Sequence, residues 1–192
     1  MTTAWKPRKL IAPRGALFLR NWLYRKVLSI DADPRKTVTW VGVSPGMDVL
    51  ELGPGPGYYT PAIAQAAAPG TVHCIDVQRE MLDLVDRVAA AKGLANVKTY
   101  KADAAVLPLA DASIDLVWAL YVLEEVPDLD GTVQEFARVL RPGGEVVVAQ
   151  VKYDFDRAQK LALQETFPRY SFEKLEEVDT WWRYKARFRK QA

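Results

Sequence analysis

Cysteine and histidine each occur once in this chain of 192 residues, and no long apolar run is present. With Cys74 alone, no internal disulfide framework can form, and a reducing, cytoplasmic setting becomes the default expectation. The longest uncharged stretch, Leu52 to Ile75, is interrupted by four prolines, so it cannot be a membrane-spanning helix. The opening "MTTAWKPRKLIAPRGA" has basic residues but no unbroken apolar core before a cleavage site, and no secretory signal is expected there. Acidic residues are scarce at the start. The first forty positions hold nine Lys and Arg against only Asp31 and Asp33, and a second basic cluster (Arg183, Lys185, Arg187, Arg189, Lys190) closes the chain. A net charge of +2 therefore hides basic ends around an acidic middle.

What is present is ordinary for a packed enzyme: 49% apolar and 26% charged residues, with no repeats and no low-complexity tract. One domain is expected over 1–192, with a helical lid over 1–40, a core over 45–151 and a carboxyl-terminal part over 152–192. Between Arg14 and Ile30, Ala16, Leu19, Leu23, Val27 and Ile30 recur at helical spacing. Strand and helix patterns then alternate. "GMDVLELG", "TVHCIDV", "NVKTYKAD", "SIDLVWAL" and "EVVVAQV" read as strands, while "TPAIAQAAA", "REMLDLVDRVAAAKG" and "LDGTVQEFARVL" read as helices. This rhythm demands crossover connections and hence a doubly wound α/β fold with a mostly parallel, Rossmann-like sheet. After Val151 it changes to a helix, "DFDRAQKLALQETF", and two segments, "YSFEKLEEVDT" and "WWRYKARFRK", expected to pair antiparallel. Alternation in the second puts Trp182, Tyr184, Ala186 and Phe188 on one face and Arg183, Lys185, Arg187 and Arg189 on the other, which reads as the solvated face of an edge strand.

The turn "ELGPGPGYYT" lies behind the first strand, where open α/β sheets bind ligands. It is a poor phosphate cradle. Pro54 and Pro56 supply no N–H, Glu51 places a carboxylate nearby, Tyr58 stands where a dinucleotide fingerprint needs a small residue, and no Walker lysine follows. Gly53, Gly55 and Gly57 instead suit a bulky neutral or cationic ligand lying on bare backbone. About 20 residues on, at the end of the second strand, Asp76 is placed to accept both hydroxyls of a ribose. Asp103 ends the third strand, although a helix cap or loop role competes for it. Glu51, Asp76 and Asp103 are thus expected to face one crevice, which favours a nucleoside that carries positive charge rather than phosphate.

"VLELGPGPG", "CIDVQREML", "ADAAVLPLADASIDLVWALYVLEEVPD" and "EFARVLRPGG" resemble the successive motifs of class I S-adenosylmethionine (SAM)-dependent methyltransferases. The branch they resemble most contains the menaquinone/ubiquinone-biosynthesis C-methyltransferases and related small-molecule and phospholipid methyltransferases. The resemblance implies a seven-stranded sheet with an antiparallel carboxyl-terminal strand. It also implies that Glu51, Gly53, Gly55 and Gly57 face the methionine part of SAM and Asp76 its ribose. Val77 and Gln78 would meet the adenine face, Asp103 with Ala104 the adenine edge, and the Ala119 backbone the methionine amino group.

Tyr121, Glu124 and Glu125 follow the fourth strand, where this fold places its substrate, although a surface helix start accounts for the two glutamates as well. Tyr58 and Tyr59 either close over the cofactor or pack under the amino-terminal helix. His73 and Cys74 lie inside a strand and read as packed residues rather than as base and nucleophile. No catalytic base and no metal site is assigned. The fourth strand is followed by "ALYVLEEVPD" rather than an Asn/Asp-Pro-Pro-aromatic motif, which disfavours a nucleic-acid base as acceptor. The expected activity is methyl transfer to a small-molecule or lipid-like acceptor, of phospholipid-amine or quinone type. A SAM-binding accessory protein and an RNA methyltransferase are the alternatives. Phe18, Trp22 and Tyr24 lie outside the apolar stripe of the 14–30 helix, among arginines, which makes peripheral contact with an anionic membrane a further expectation.

Overall fold

The computed structural model describes residue 5 and residues 33–152, 155–181 and 183–191. The helix expected over 14–30, and most of the lid, lie outside the described residues. Within the expected lid, Pro34–Val41 forms helix α1. Proline fits its first turn, the Asp33 side chain accepts the Arg35 N–H, and Gly42 closes the helix in the left-handed region.

From there the chain runs β1 (Val49–Leu52), α2 (Thr60–Ala67), β2 (Val72–Asp76), α3 (Arg79–Ala91), β3 (Val97–Lys101) and β4 (Ile114–Leu120). A 3₁₀ turn at Leu123–Glu125 leads to α4 (Leu129–Val139), β5 (Leu140–Val151), α5 (Arg157–Arg169), β6 (Phe172–Asp179) and β7 (Arg183–Lys190). All four residues of β1 are buried, as a central strand covered on both faces requires.

The seven strands form one sheet in the order β3-β2-β1-β4-β5-β7-β6. Strands β1 to β5 are parallel, and β7 runs antiparallel between β5 and β6. The chain winds outward from β1 to β3 and then returns to β4, so the switch point lies between β1 and β4. One face packs Val38 and Val41 of α1, Ile63 and Ala64 of α2, and Leu82 and Val85 of α3. The other packs Leu129, Val133 and Phe136 of α4, and Leu163 and Phe167 of α5.

Two expectations need correction. Strand β5 begins at Leu140 rather than Glu145, because Leu140 already pairs with Ile114 and the "RPGG" segment forms an irregularity in the ladder. The basic face of "WWRYKARFRK" is not a solvated sheet edge: β7 is internal and β6 is the edge. Its apolar face is as expected, with Tyr184, Ala186 and Phe188 buried, while Trp182 lies outside the described residues. On the basic face Arg187 donates to Glu145 and to the Trp40 and Val41 carbonyls, and the Lys185 ammonium sits 4.2 Å from the Trp40 ring centre.

Candidate functional site: the carboxyl edge of β1, β2 and β4

Gly53, Gly55 and Gly57 all adopt positive φ (61°, 54° and 78°), but their missing side chains serve different ends. A Cβ on Gly53 would lie 2.4 Å from Val122 Cγ2, so that glycine admits the loop after β4. A Cβ on Gly57 would touch the Val85 backbone at 3.5 Å. A Cβ on Gly55 would meet nothing within 4 Å. Bare backbone facing open space is therefore a property of Gly55.

Glu51 lies beneath this turn, not at its mouth. Only 2% exposed, its carboxylate accepts the Thr60 hydroxyl at 2.7 Å and the Cys74 thiol at 3.4 Å. Burial pushes its pKa up to about 7, against the pull of these two hydrogen bonds. Glu51 therefore does not join Asp76 and Asp103 as an exposed anion of one crevice. The same burial, reinforced by the Glu51 carboxylate, raises the Cys74 thiol far from thiolate formation, in keeping with a core residue.

Asp76 ends β2 half-buried, its Oδ1 accepting the Gln78 N–H at 2.8 Å. Beside it Val77 is 54% exposed, an apolar surface at the sheet edge, and Gln78 leads into α3. Asp103 is exposed and Ala104 buried. One Asp103 oxygen accepts the Ala105 N–H at 2.9 Å, so the competing turn-capping role is realised at that oxygen. Pairing of β1 with β4 ends at Glu51 and Trp118, and the buried Ala119 lies just beyond, level with the start of the glycine turn.

Tyr121 follows with φ 60°, an uncommon conformation for a side-chain-bearing residue, and its N–H bonds Ala149 O at 2.7 Å. The two glutamates fall in a short 3₁₀ turn of their own rather than at the start of the following α-helix. Helix α4 begins at Leu129 under an Asp128 cap, whereas Glu124, 7% exposed, and Glu125 form a separate 3₁₀ turn. Tyr59 is core, its ring 5.3 Å from Trp118, and Tyr58 stacks edge-on to it at 4.9 Å. His73 sits near the start of β2, away from the site, stacked on Tyr100 at 5.8 Å and lowered in pKa by burial. Sequence reasoning missed Val122 and Thr60. A valine after a strand and a threonine at a helix start carry no signal beyond their propensities.

A methyltransferase-domain family model matches residues 50–148, and the chain belongs to this family. Among similar proteins, methyltransferase GfsG of Streptomyces halstedii is 39% identical over 111 residues, covering 57% of this chain and 39% of its own. The ubiquinone/menaquinone biosynthesis C-methyltransferase UbiE of a Shewanella species is 31% identical over 143 residues, covering 73% and 55%. The chain thus spans about half or less of these relatives' length. A SAM-dependent methyltransferase structure from Aquifex aeolicus shares the fold, with a TM-score of 0.73, 22% identity, and coverage of 85% of this chain and 96% of that one. The cofactor that membership implies is SAM. The residues present fit it: open backbone at Gly55, an Asp76 carboxylate at a strand end, and the exposed Val77 beside it.

Proposed function

We propose that the chain is a SAM-dependent methyltransferase acting on a small-molecule or lipid-like acceptor. The observation that carries this reading is the grouping at one sheet edge of the open Gly55 backbone, Asp76, Val77 and Asp103 in a chain of this family. Asp76 would hold the ribose hydroxyls, Val77 and Gln78 the adenine face, and Asp103 with Ala104 its edge. The Ala119 backbone would meet the methionine amino group. SAM supplies an activated methyl: the acceptor atom forms a bond to that carbon as the carbon–sulfur bond breaks, and S-adenosylhomocysteine leaves. The chain's part is to position the reactants and exclude water. Tyr121, Glu124 and Tyr58 lie on the acceptor side as pocket candidates. The names of the UbiE relatives support an acceptor of quinone type.

The test is calorimetry with S-adenosylhomocysteine. Asp76→Ala should weaken binding by roughly 1.5–3 kcal/mol for each ribose hydrogen bond lost from a charged acceptor. NAD(H) and ATP should give no comparable heat, since Pro54 and Pro56 withhold the N–H donors a phosphate needs. Unchanged affinity in the variant would place the cofactor elsewhere.

A further inference from the structure

After Glu145, Gln150 is the one polar side chain in "EVVVAQV" and interrupts an otherwise apolar run. It pairs across the ladder with Tyr184 of β7, so both side chains stand on the sheet face that carries α4 and α5. Both residues are 0% exposed. Neither amide atom of Gln150 nor the Tyr184 hydroxyl has a hydrogen-bond partner among the described residues. Buried polar atoms are almost always satisfied, and three orphans in one cross-strand pair call for an explanation.

Their position supplies one. Leu120 at the end of β4 pairs with Ala149, which puts Gln150 level with Tyr121 at the carboxyl edge. It lies two strands from the glycine turn, about 10 Å away at the usual strand spacing. Among the described residues, the groups shown against the Tyr184 ring are an aromatic side chain and an ammonium that is already paired. Phe155 stacks on Tyr184 at 5.3 Å. The Lys160 ammonium is 5.4 Å from the Tyr184 ring centre, but it is already paired with Glu177 at 2.8 Å and Asp179 at 2.7 Å. Burial, with those two carboxylates nearby, also keeps the Tyr184 phenol protonated and a donor.

We propose that Gln150 and Tyr184 are the recognition pair of the acceptor pocket, hydrogen-bonding an uncharged hydroxyl or carbonyl oxygen on an otherwise apolar acceptor. This rests on the methyltransferase reading above. The Tyr184 hydroxyl and the Gln150 amide N–H donate to such an oxygen, and Gln150 Oε1 accepts from a hydroxyl. A phosphate or ammonium group would meet only charges already paired with one another, Lys160 with Glu177 and Asp179, and would have to break those pairs to gain a counter-ion. Phe155, 4% exposed, covers the Tyr184 ring, so an acceptor reaches the pair only where that ring is displaced.

The experiment uses Gln150→Met and Tyr184→Phe, which keep volume and remove the polar atoms, in the full chain saturated with S-adenosylhomocysteine. The probes are 2-naphthol, an uncharged oxygen on an apolar body, and 2-naphthylmethylammonium. Naphthol should bind the unaltered chain more tightly than the ammonium does. Each variant should lose at least about tenfold in naphthol affinity, about 1.4 kcal/mol, with S-adenosylhomocysteine affinity unchanged and the melting temperature equal or higher. Removal of orphaned polar atoms relieves the folded state, whereas removal of a satisfied network destabilises it. The proposal is overturned if both variants melt several degrees lower, if naphthol fails to bind or binds the variants equally well, or if the ammonium binds as tightly. Failure of S-adenosylhomocysteine to bind the unaltered chain would instead bring down the methyltransferase reading itself, and this proposal with it.

Discussion

Glu51 is a carboxyl group sealed between a strand and the first turn of a helix. Its donors are a hydroxyl and a thiol, and it has no ion-pair partner among the described residues. The folded-state pKa of about 7 lies above the ordinary value of 4.5, so the folded chain holds this proton more tightly than the unfolded chain does. The sign follows by linkage: between pH 4.5 and 7 the group's contribution to stability falls as pH rises, and the full penalty applies above 7. At about 1.4 kcal/mol per unit the penalty is about 3 kcal/mol. Asp48, Glu135, Glu145 and Glu177 have lowered pKa values and pull the opposite way, so the effect must be read as a difference. Glu51→Gln keeps an acceptor for Thr60 and cannot ionise. In urea unfolding it should gain on the unaltered chain by up to about 3 kcal/mol between pH 5 and pH 8. A difference that stays constant over that range would mean Glu51 is not ionising where it lies.

Between elements, Arg187 is the joint that fixes α1 to the sheet. Its guanidinium reaches Glu145 on β5 at 2.7 Å and the last two carbonyls of α1, Trp40 at 2.7 Å and Val41 at 3.0 Å. A cation suits a helix carboxyl end, and the forked geometry serves three acceptors at once. Arg187→Met should cost roughly 2–4 kcal/mol in denaturant unfolding, since it takes one of two guanidinium partners from a mostly buried Glu145 and leaves two helix-end carbonyls without their donor. Arg189, 49% exposed and bound to the same carboxylate, should cost under about 1 kcal/mol when changed to Met. Equal losses would show that the α1 carbonyls add nothing. The alternation of "WWRYKARFRK" correctly disclosed a strand and its buried face, because period two survives any tertiary context. It did not disclose that β7 is internal, since that depends on β6 adding itself outside, a non-local pairing with no local signature. The site divides the same way. Gly55, Asp76 and Val77 were legible because strand-end positions follow from strand register. The burial of Glu51 was not, because it depends on Thr60 and Cys74 arriving from other elements.

Across the whole molecule the two basic ends have different fates. At the carboxyl end four of the five basic side chains are held by contacts within the fold: Arg187 and Arg189 share Glu145, Lys190 donates to the Leu140 carbonyl, and Lys185 lies on Trp40. Most of the amino-terminal basic surplus, Lys6 to Lys26, lies outside the described residues and contains seven Lys and Arg with no acid among them. No described helix is long and apolar enough to cross a membrane. If the acceptor is lipid-like, this segment is where the chain would meet its bilayer, at about 1 kcal/mol for each basic residue near an anionic surface. Sedimentation with phosphatidylserine-containing vesicles tests this. The chain should pellet at low salt, stay behind with purely zwitterionic vesicles, and be released as salt rises. Changing Arg20, Arg25 and Lys26 together to Gln should move most of it to the supernatant. Changing Arg189 to Gln should not, because its guanidinium is held against Glu145 within the fold. A chain that stays in the supernatant with anionic vesicles at low salt would remove the membrane from the account and leave the acceptor a soluble molecule, one that must reach Gln150 and Tyr184 from water.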